Sequence, residues 1–219
     1  MIKHQTGINN IVGLKLYNMK EYNTLLLEYL KISNGLFCES DGTKKEFLDN
    51  QEWHYIPSNL NQNLYLLKKL EDKGLLKDIV NICDCGIGLG TTMYDFYLQS
   101  KELDKDFTFT GIEKYESYIN YFNDKLSSYW EGNLNLINGE IMEQDYSKYD
   151  IIYSYSPFKS EEKLIPYYQK LIDEIKPGSL IIEFRNKGIG YDGTLFKLHL
   201  NESKIESIKI DDIIVFRKY

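Results

Sequence analysis

The sequence predicts an α/β fold: a doubly wound, mostly parallel seven-stranded sheet with an antiparallel C-terminal hairpin and a short N-terminal extension. Three observations predict it. From about residue 58 onward, short apolar runs alternate with segments of helical periodicity. The first apolar run leads directly into a glycine-rich turn, NICDCGIGLGTT, at 81–92. The alternation then stops, and TLFKLHL and DDIIVFRKY read as two β-like stretches with a short polar connection.

The elements follow in order. Residues 1–48 read as a separate extension, with a short strand in IVGLKLY and a helix in MKEYNTLLLEYLKIS. In that helix Tyr22, Leu25, Leu26, Tyr29 and Leu30 fall at helical spacing. The turn-rich stretch NGLFCESDGTKK ends it, and residues 49–219 form the main domain. There, Ser58 is placed to cap a helix whose stripe is Leu60, Leu64, Leu67 and Leu70, and Gly74 ends it. Strands are expected at 79–84, 107–113, 133–138, 149–155 and 178–185. Helices are expected in TTMYDFYLQSKEL, ESYINYFNDKLSSYW and EEKLIPYYQKLIDEIK, the last containing Pro166.

Composition narrows the function. The chain has 219 residues, 42% hydrophobic and 27% charged, which suits a globular domain with a sizeable core. No apolar run approaches the roughly 20 residues of a membrane helix, and MIKHQTGINN has no signal-like apolar segment, so no membrane partner and a cytoplasmic location are expected. The net charge of −7 disfavours a general nucleic-acid coat. Cys83 and Cys85 point the same way on a buried strand, and with no histidine nearby they read as small core residues. No metal site is expected. His4, His54 and His199 do not cluster, and only His54 merits a test.

The glycine turn carries the functional signal. Glycine permits positive φ and close backbone approach, so Gly86, Gly88 and Gly90 imply a ligand lying against the backbone. A parallel sheet presents ligands at the carboxyl ends of its strands, where Asp84 sits. A dinucleotide turn needs its third glycine one residue later, where this chain has Thr91. Asp84 would also repel a pyrophosphate, whereas a cationic ligand would welcome it. No lysine follows the turn to serve a triphosphate.

The sequence DCGIGLG resembles the D/E-x-G-x-G-x-G signature of class I S-adenosylmethionine-dependent methyltransferases. The resemblance covers residues 53 to 185, and it implies S-adenosylmethionine as cofactor. Glu113 in TGIEKYE is similar to the family's ribose-binding acid after strand two. In INGEIM, Glu140 stands where the family has an acceptor for the adenine amino group, and Ile141 where a side chain packs on the ring. Upstream, WHYIPSNLNQNLYLL resembles the Y-x-P-T/S segment of protein isoaspartate and non-SET histone-lysine methyltransferases. That likeness would put Tyr55 and Pro57 over the cofactor's methionine end.

YSYSPF occupies the family's acceptor position after strand four, so the resemblance makes Tyr155, Ser156 and Phe158 the catalytic candidates. The tetrad Tyr155-Ser156-Pro157-Phe158 departs from the D/N/S-P-P-Y/F motif of amino-directed enzymes, which disfavours base and glutamine methylation. Phe158 is expected to stack on a planar or cationic acceptor. Asp84 would hold the cationic methionine end, and amides of the glycine turn would meet the cofactor's carboxylate. Orientation alone is worth roughly 7–11 kcal/mol in such a transfer. The acceptor is expected to be a small molecule or protein side chain rather than nucleic acid. Residues 1–48 would serve as a lid or oligomer contact, which leaves a homo-oligomer open. Two other readings remain: a catalytically inactive scaffold on the same fold, and a nucleotide-sugar or NAD-dependent enzyme, which the glycine spacing disfavours.

Overall fold

In the computed structural model, residues 24–31, 65–131, 134–155, 157–158, 160–183, 204–210 and 213–219 are described. In chain order they form α1 (residues 24–31), α2 (Leu66–Asp72), β1 (Asn81–Cys85), α3 (Thr91–Glu102) and β2 (Thr108–Glu113). Next come α4 (Glu116–Tyr121), β3 (Leu134–Asn138), β4 (Ile151–Ser154), α5 (Glu161–Glu174), β5 (Leu180–Glu183), β6 (Ile205–Ile210) and β7 (Ile213–Lys218).

The seven strands make one sheet in the order β3-β2-β1-β4-β5-β7-β6. The first five run parallel, and β7 is antiparallel to both β5 and β6. The doubly wound architecture expected from the sequence is therefore present. The strand order reverses direction at β1 and β4, which opens a crevice at their carboxyl ends. In register, Asp84 of β1 lies between Gly111 of β2 and Tyr153 of β4, at that reversal.

Period-two alternation buries both faces of the sheet, as a parallel sheet requires. Ile82, Phe109, Ile151, Tyr153, Leu180 and Ile182 pack in one core with the apolar sides of α1, α2 and α3. Cys83, Cys85, Ile112, Ile152 and Ile181 join the other, with Leu164, Tyr167, Tyr168 and Leu171 of α5. Both cysteines are buried free thiols, and Cys85 Sγ donates to the Tyr146 hydroxyl at 3.5 Å.

Helix ends follow their local chemistry. α2 closes with the Gly74 amide on the Glu71 carbonyl (2.8 Å) and the Leu75 amide on the Leu70 carbonyl (2.9 Å), the two bonds of a Schellman cap. Its Leu67 amide donates to Gln99 Oε1 of α3 at 2.8 Å, so a neighbouring helix satisfies one of its end amides. At the opposite end of the sheet from the crevice, Asp150 Oδ2 accepts from the Val80 (2.9 Å) and Asn81 (2.8 Å) amides. Lys176 pairs with Oδ1 at 2.6 Å. This carboxylate clamps the start of β1 to the start of β4.

Two expectations need correction. The expected antiparallel C-terminal hairpin is present, made by β6 and β7, but β6 lies inside the segment expected to be a polar connection, while the stretch TLFKLHL lies outside the described residues. The charges misled: β6 is an edge strand, where Glu206 and Lys209 are tolerated and discourage further pairing, while Ile205 and Ile210 are buried. The helix expected over ESYINYFNDKLSSYW also changes winding. α4 ends at Tyr121, a π turn follows at Phe122–Leu126, and a tight turn at Ser127–Tyr129. The wider turn brings both Phe122 and Leu126 into the core.

Candidate functional site

The site is built on the turn between β1 and α3. Gly86, Gly88 and Gly90 all have positive φ (82°, 54° and 71°), so the turn has a shape that side chains resist. At Gly90 a Cβ would also stand 3.1 Å from the Tyr29 hydroxyl and 3.2 Å from Phe122. Among the described residues nothing lies within 4 Å of the place a Cβ would take at Gly86. Gly111 admits the turn from below: a Cβ there would meet Ile87 Cδ1 at 2.2 Å.

β2 holds the turn in place. The Gly86 and Ile87 amides both donate to the Ile112 carbonyl, at 2.9 and 3.0 Å. The Gly88 amide donates to Glu113 Oε2 at 2.9 Å, and the Tyr115 amide to Glu113 Oε1 at 2.9 Å. Gly90 donates to the Ile87 carbonyl at 2.9 Å. These four turn amides all have acceptors within the protein.

Asp84 is 4% exposed and lies on the same side of the sheet as Glu113. Burial above all, then Cys85 and Glu113, pushes its carboxyl well above the ordinary carboxylate range. Such a group is costly to ionise alone and gains most from a positive charge beside it. Glu113, 6% exposed, accepts from the Gly88 and Tyr115 amides, one on each carboxylate oxygen.

The loop after β3 is tied to the same place. Asn138 Nδ2 donates to the Glu113 and Lys114 carbonyls at 3.0 Å each, and the Gly139 amide to the Glu113 carbonyl at 2.9 Å. Glu140 pairs with Lys114 at 2.8 Å while remaining 40% exposed at its side chain. Ile141 is buried in the second core, where its carbonyl accepts from the Tyr146 hydroxyl at 2.8 Å.

On the acceptor side, Tyr155 is half-buried against the first core. Phe158 is buried in the second, edge-on to Tyr167 (centroids 5.8 Å apart) with Lys163 over its ring. It is packed by its own chain rather than presented as a stacking face. Ser154 Oγ accepts from the Tyr167 hydroxyl at 3.1 Å. Thr91 is the buried first residue of α3. Tyr55, Pro57 and Ser156 lie outside the described residues, as do the three histidines.

Asp84, Gly86, Gly88, Gly90, Thr91 and Glu113 are thus gathered at the carboxyl ends of β1 and β2, with Glu140 on the adjoining loop. Sequence reasoning missed Gly111, Asn138, Lys114 and Tyr29. Asn138 carried a faint signal, as the Asn-Gly pair ending a strand. Among the described residues no cluster of His, Cys, Asp and Glu fits a metal ion, and no helix is long and apolar enough to cross a membrane.

No protein-family model matches the chain, and no curated protein matches it in sequence. Solved structures match its fold. The SAH-bound Podospora anserina methyltransferase PaMTH1 aligns with a TM-score of 0.59 at 12% identity, covering 100% of this chain and 99% of that one. The precorrin-6y C5,15-methyltransferase from Geobacter metallireducens GS-15 aligns at 0.53 and 14% identity, covering 78% of this chain and 95% of that one. The chain has the class I methyltransferase fold.

Proposed function

We propose that this protein is an S-adenosylmethionine-dependent methyltransferase acting on a small molecule or a protein side chain. The observation that carries the reading is the pair of buried carboxylates, Asp84 and Glu113, flanking a glycine turn that has space over Gly86 among the described residues. Phosphate ligands would be repelled there, while a cationic nucleoside fits. Asp84 would hold the cationic methionine end and become easier to ionise in doing so. Glu113 would accept from ribose hydroxyls while keeping its grip on Gly88. Glu140 would meet the base edge by sharing or releasing Lys114. When bound, the cofactor supplies a methyl group already activated on a sulfonium.

The chain's remaining task is to orient the acceptor. Tyr155, directly after β4, whose strand pairs with the Asp84 strand, would take part in doing so. The packed state of Phe158 favours a second reading, a cofactor-binding scaffold without turnover. A tritiated-methyl transfer assay on fractionated cell extract separates the two. Label entering one fraction, and lost with Asp84→Asn, supports the enzyme. Cofactor binding with no label in any fraction supports the scaffold, and no binding at all removes both.

A further inference from the structure

α1 reaches the glycine turn through one side chain. Tyr29 is fully buried, and its hydroxyl donates to the Leu89 carbonyl at 2.7 Å across 60 residues of sequence. Its ring stacks on Tyr94 of α3, with centroids 4.2 Å apart and planes 12° from parallel, and Tyr129 meets it edge-on at 5.7 Å. The same hydroxyl stands 3.1 Å from where a Gly90 Cβ would be. β2 thus fixes the first half of the turn through Gly86, Ile87 and Gly88, and α1 fixes the second half through Leu89 and Gly90.

We propose that Tyr29 is a positioning residue: docking of α1 sets the Leu89–Gly90 peptide, so α1 docking and ligand binding on the turn reinforce each other. The proposal rests on reading the turn as the cofactor site. Linkage requires reciprocity, so whatever docking adds to ligand affinity, the ligand adds to docking. A hydroxyl–carbonyl bond of ordinary strength makes the coupling about two- to tenfold in affinity.

Tyr29→Phe tests this, because it keeps the ring and its stack on Tyr94 and removes only the hydroxyl. Hydrogen exchange is followed in the full chain over residues 24–31 and 86–92, with and without S-adenosylhomocysteine, alongside the affinity for that ligand. In the wild type the ligand is expected to slow exchange in both segments. In Tyr29→Phe the affinity falls about two- to tenfold, the protection of 24–31 shrinks, and the turn amides exchange faster even without ligand. Unchanged affinity and undiminished protection overturn the proposal, as does a lower melting temperature with the ligand-induced protection intact. If the wild type does not bind S-adenosylhomocysteine, the cofactor reading fails. The ligand-free exchange of 86–92 then decides Tyr29's part alone: faster in the variant supports positioning, unchanged overturns it.

Discussion

Glu113 Oε2 accepts the Gly88 amide at 2.9 Å, so the acid that ends the second strand also shapes the turn that follows the first. One carboxylate joins two parts of the site, because its other oxygen holds the Tyr115 amide. Glu113→Gln turns one of these acceptors into a donor facing a buried N–H. The expected cost is about 1–3 kcal/mol of stability, with S-adenosylhomocysteine affinity down at least about tenfold. Thermal melts and calorimetric titration on the same preparation check both. A variant with wild-type melting and affinity would remove Glu113 from the site.

Gly86 and Gly90 separate shape from space. Both have positive φ, so alanine at either costs about 1–2 kcal/mol from the backbone alone. Gly90→Ala meets Tyr29 and Phe122 as well and is expected to be the more destabilising. Gly86→Ala meets nothing among the described residues, so its larger effect is expected on ligand affinity. Denaturant melts paired with titration read the two effects, and the reverse ranking would place the ligand on the other flank of the turn.

Two buried carboxyls make opposed contributions to the pH dependence of folding. Asp150 is buried, which raises its pKa, yet Lys176 and the Asn81 and Val80 amides outweigh that and hold it below the ordinary value. A depressed carboxyl adds stability that is present above the unfolded pKa of about 3.9 and is lost as pH falls through the folded pKa. Asp84 is the reverse case. Its raised carboxyl adds stability at low pH that is lost as pH rises from the unfolded toward the folded value. Asp84→Asn should therefore raise the melting temperature of the ligand-free protein at neutral pH, whereas Asp150→Asn should lower it. Melts across the acid-to-neutral range check the signs. A destabilising Asp84→Asn at neutral pH would mean that the carboxylate is already compensated within the protein.

The close fit of Ile87 over Gly111 predicts a non-additive pair. Gly111→Ala alone forces Ile87 aside and is expected to cost about 1–3 kcal/mol as overpacking. In the Ile87→Ala background the same change should cost much less, and the double-mutant cycle measures the difference. Additive effects would show that the turn relaxes away from β2.

Residues whose requirement is local were legible in the sequence. Asp84 and the three glycines announce themselves through charge and backbone shape at a strand end, and Glu113 through the family resemblance. Residues whose role depends on docking were not. Tyr29 reads as one more apolar position of an amphipathic helix, and only the packing of α1 on α3 brings it to Leu89. Phe158 reads as a stacking face because nothing local shows that Tyr167 and Lys163 take up its ring. The acceptors of the turn amides could not be read locally, because the Ile112 carbonyl and the Glu113 carboxylate belong to another strand. β6 was hidden by the charges that an edge strand carries.

The central claim is that a cationic ligand sits against a buried, hard-to-ionise Asp84. Calorimetric titration of S-adenosylmethionine, run in buffers of different ionisation enthalpy, counts the protons exchanged on binding. The account predicts binding in the wild type whose proton release, measured from acid to neutral pH, is present below the raised Asp84 pKa, and weaker binding with that release gone in Asp84→Asn. No binding, or equal affinity and proton exchange in the two proteins, would contradict it.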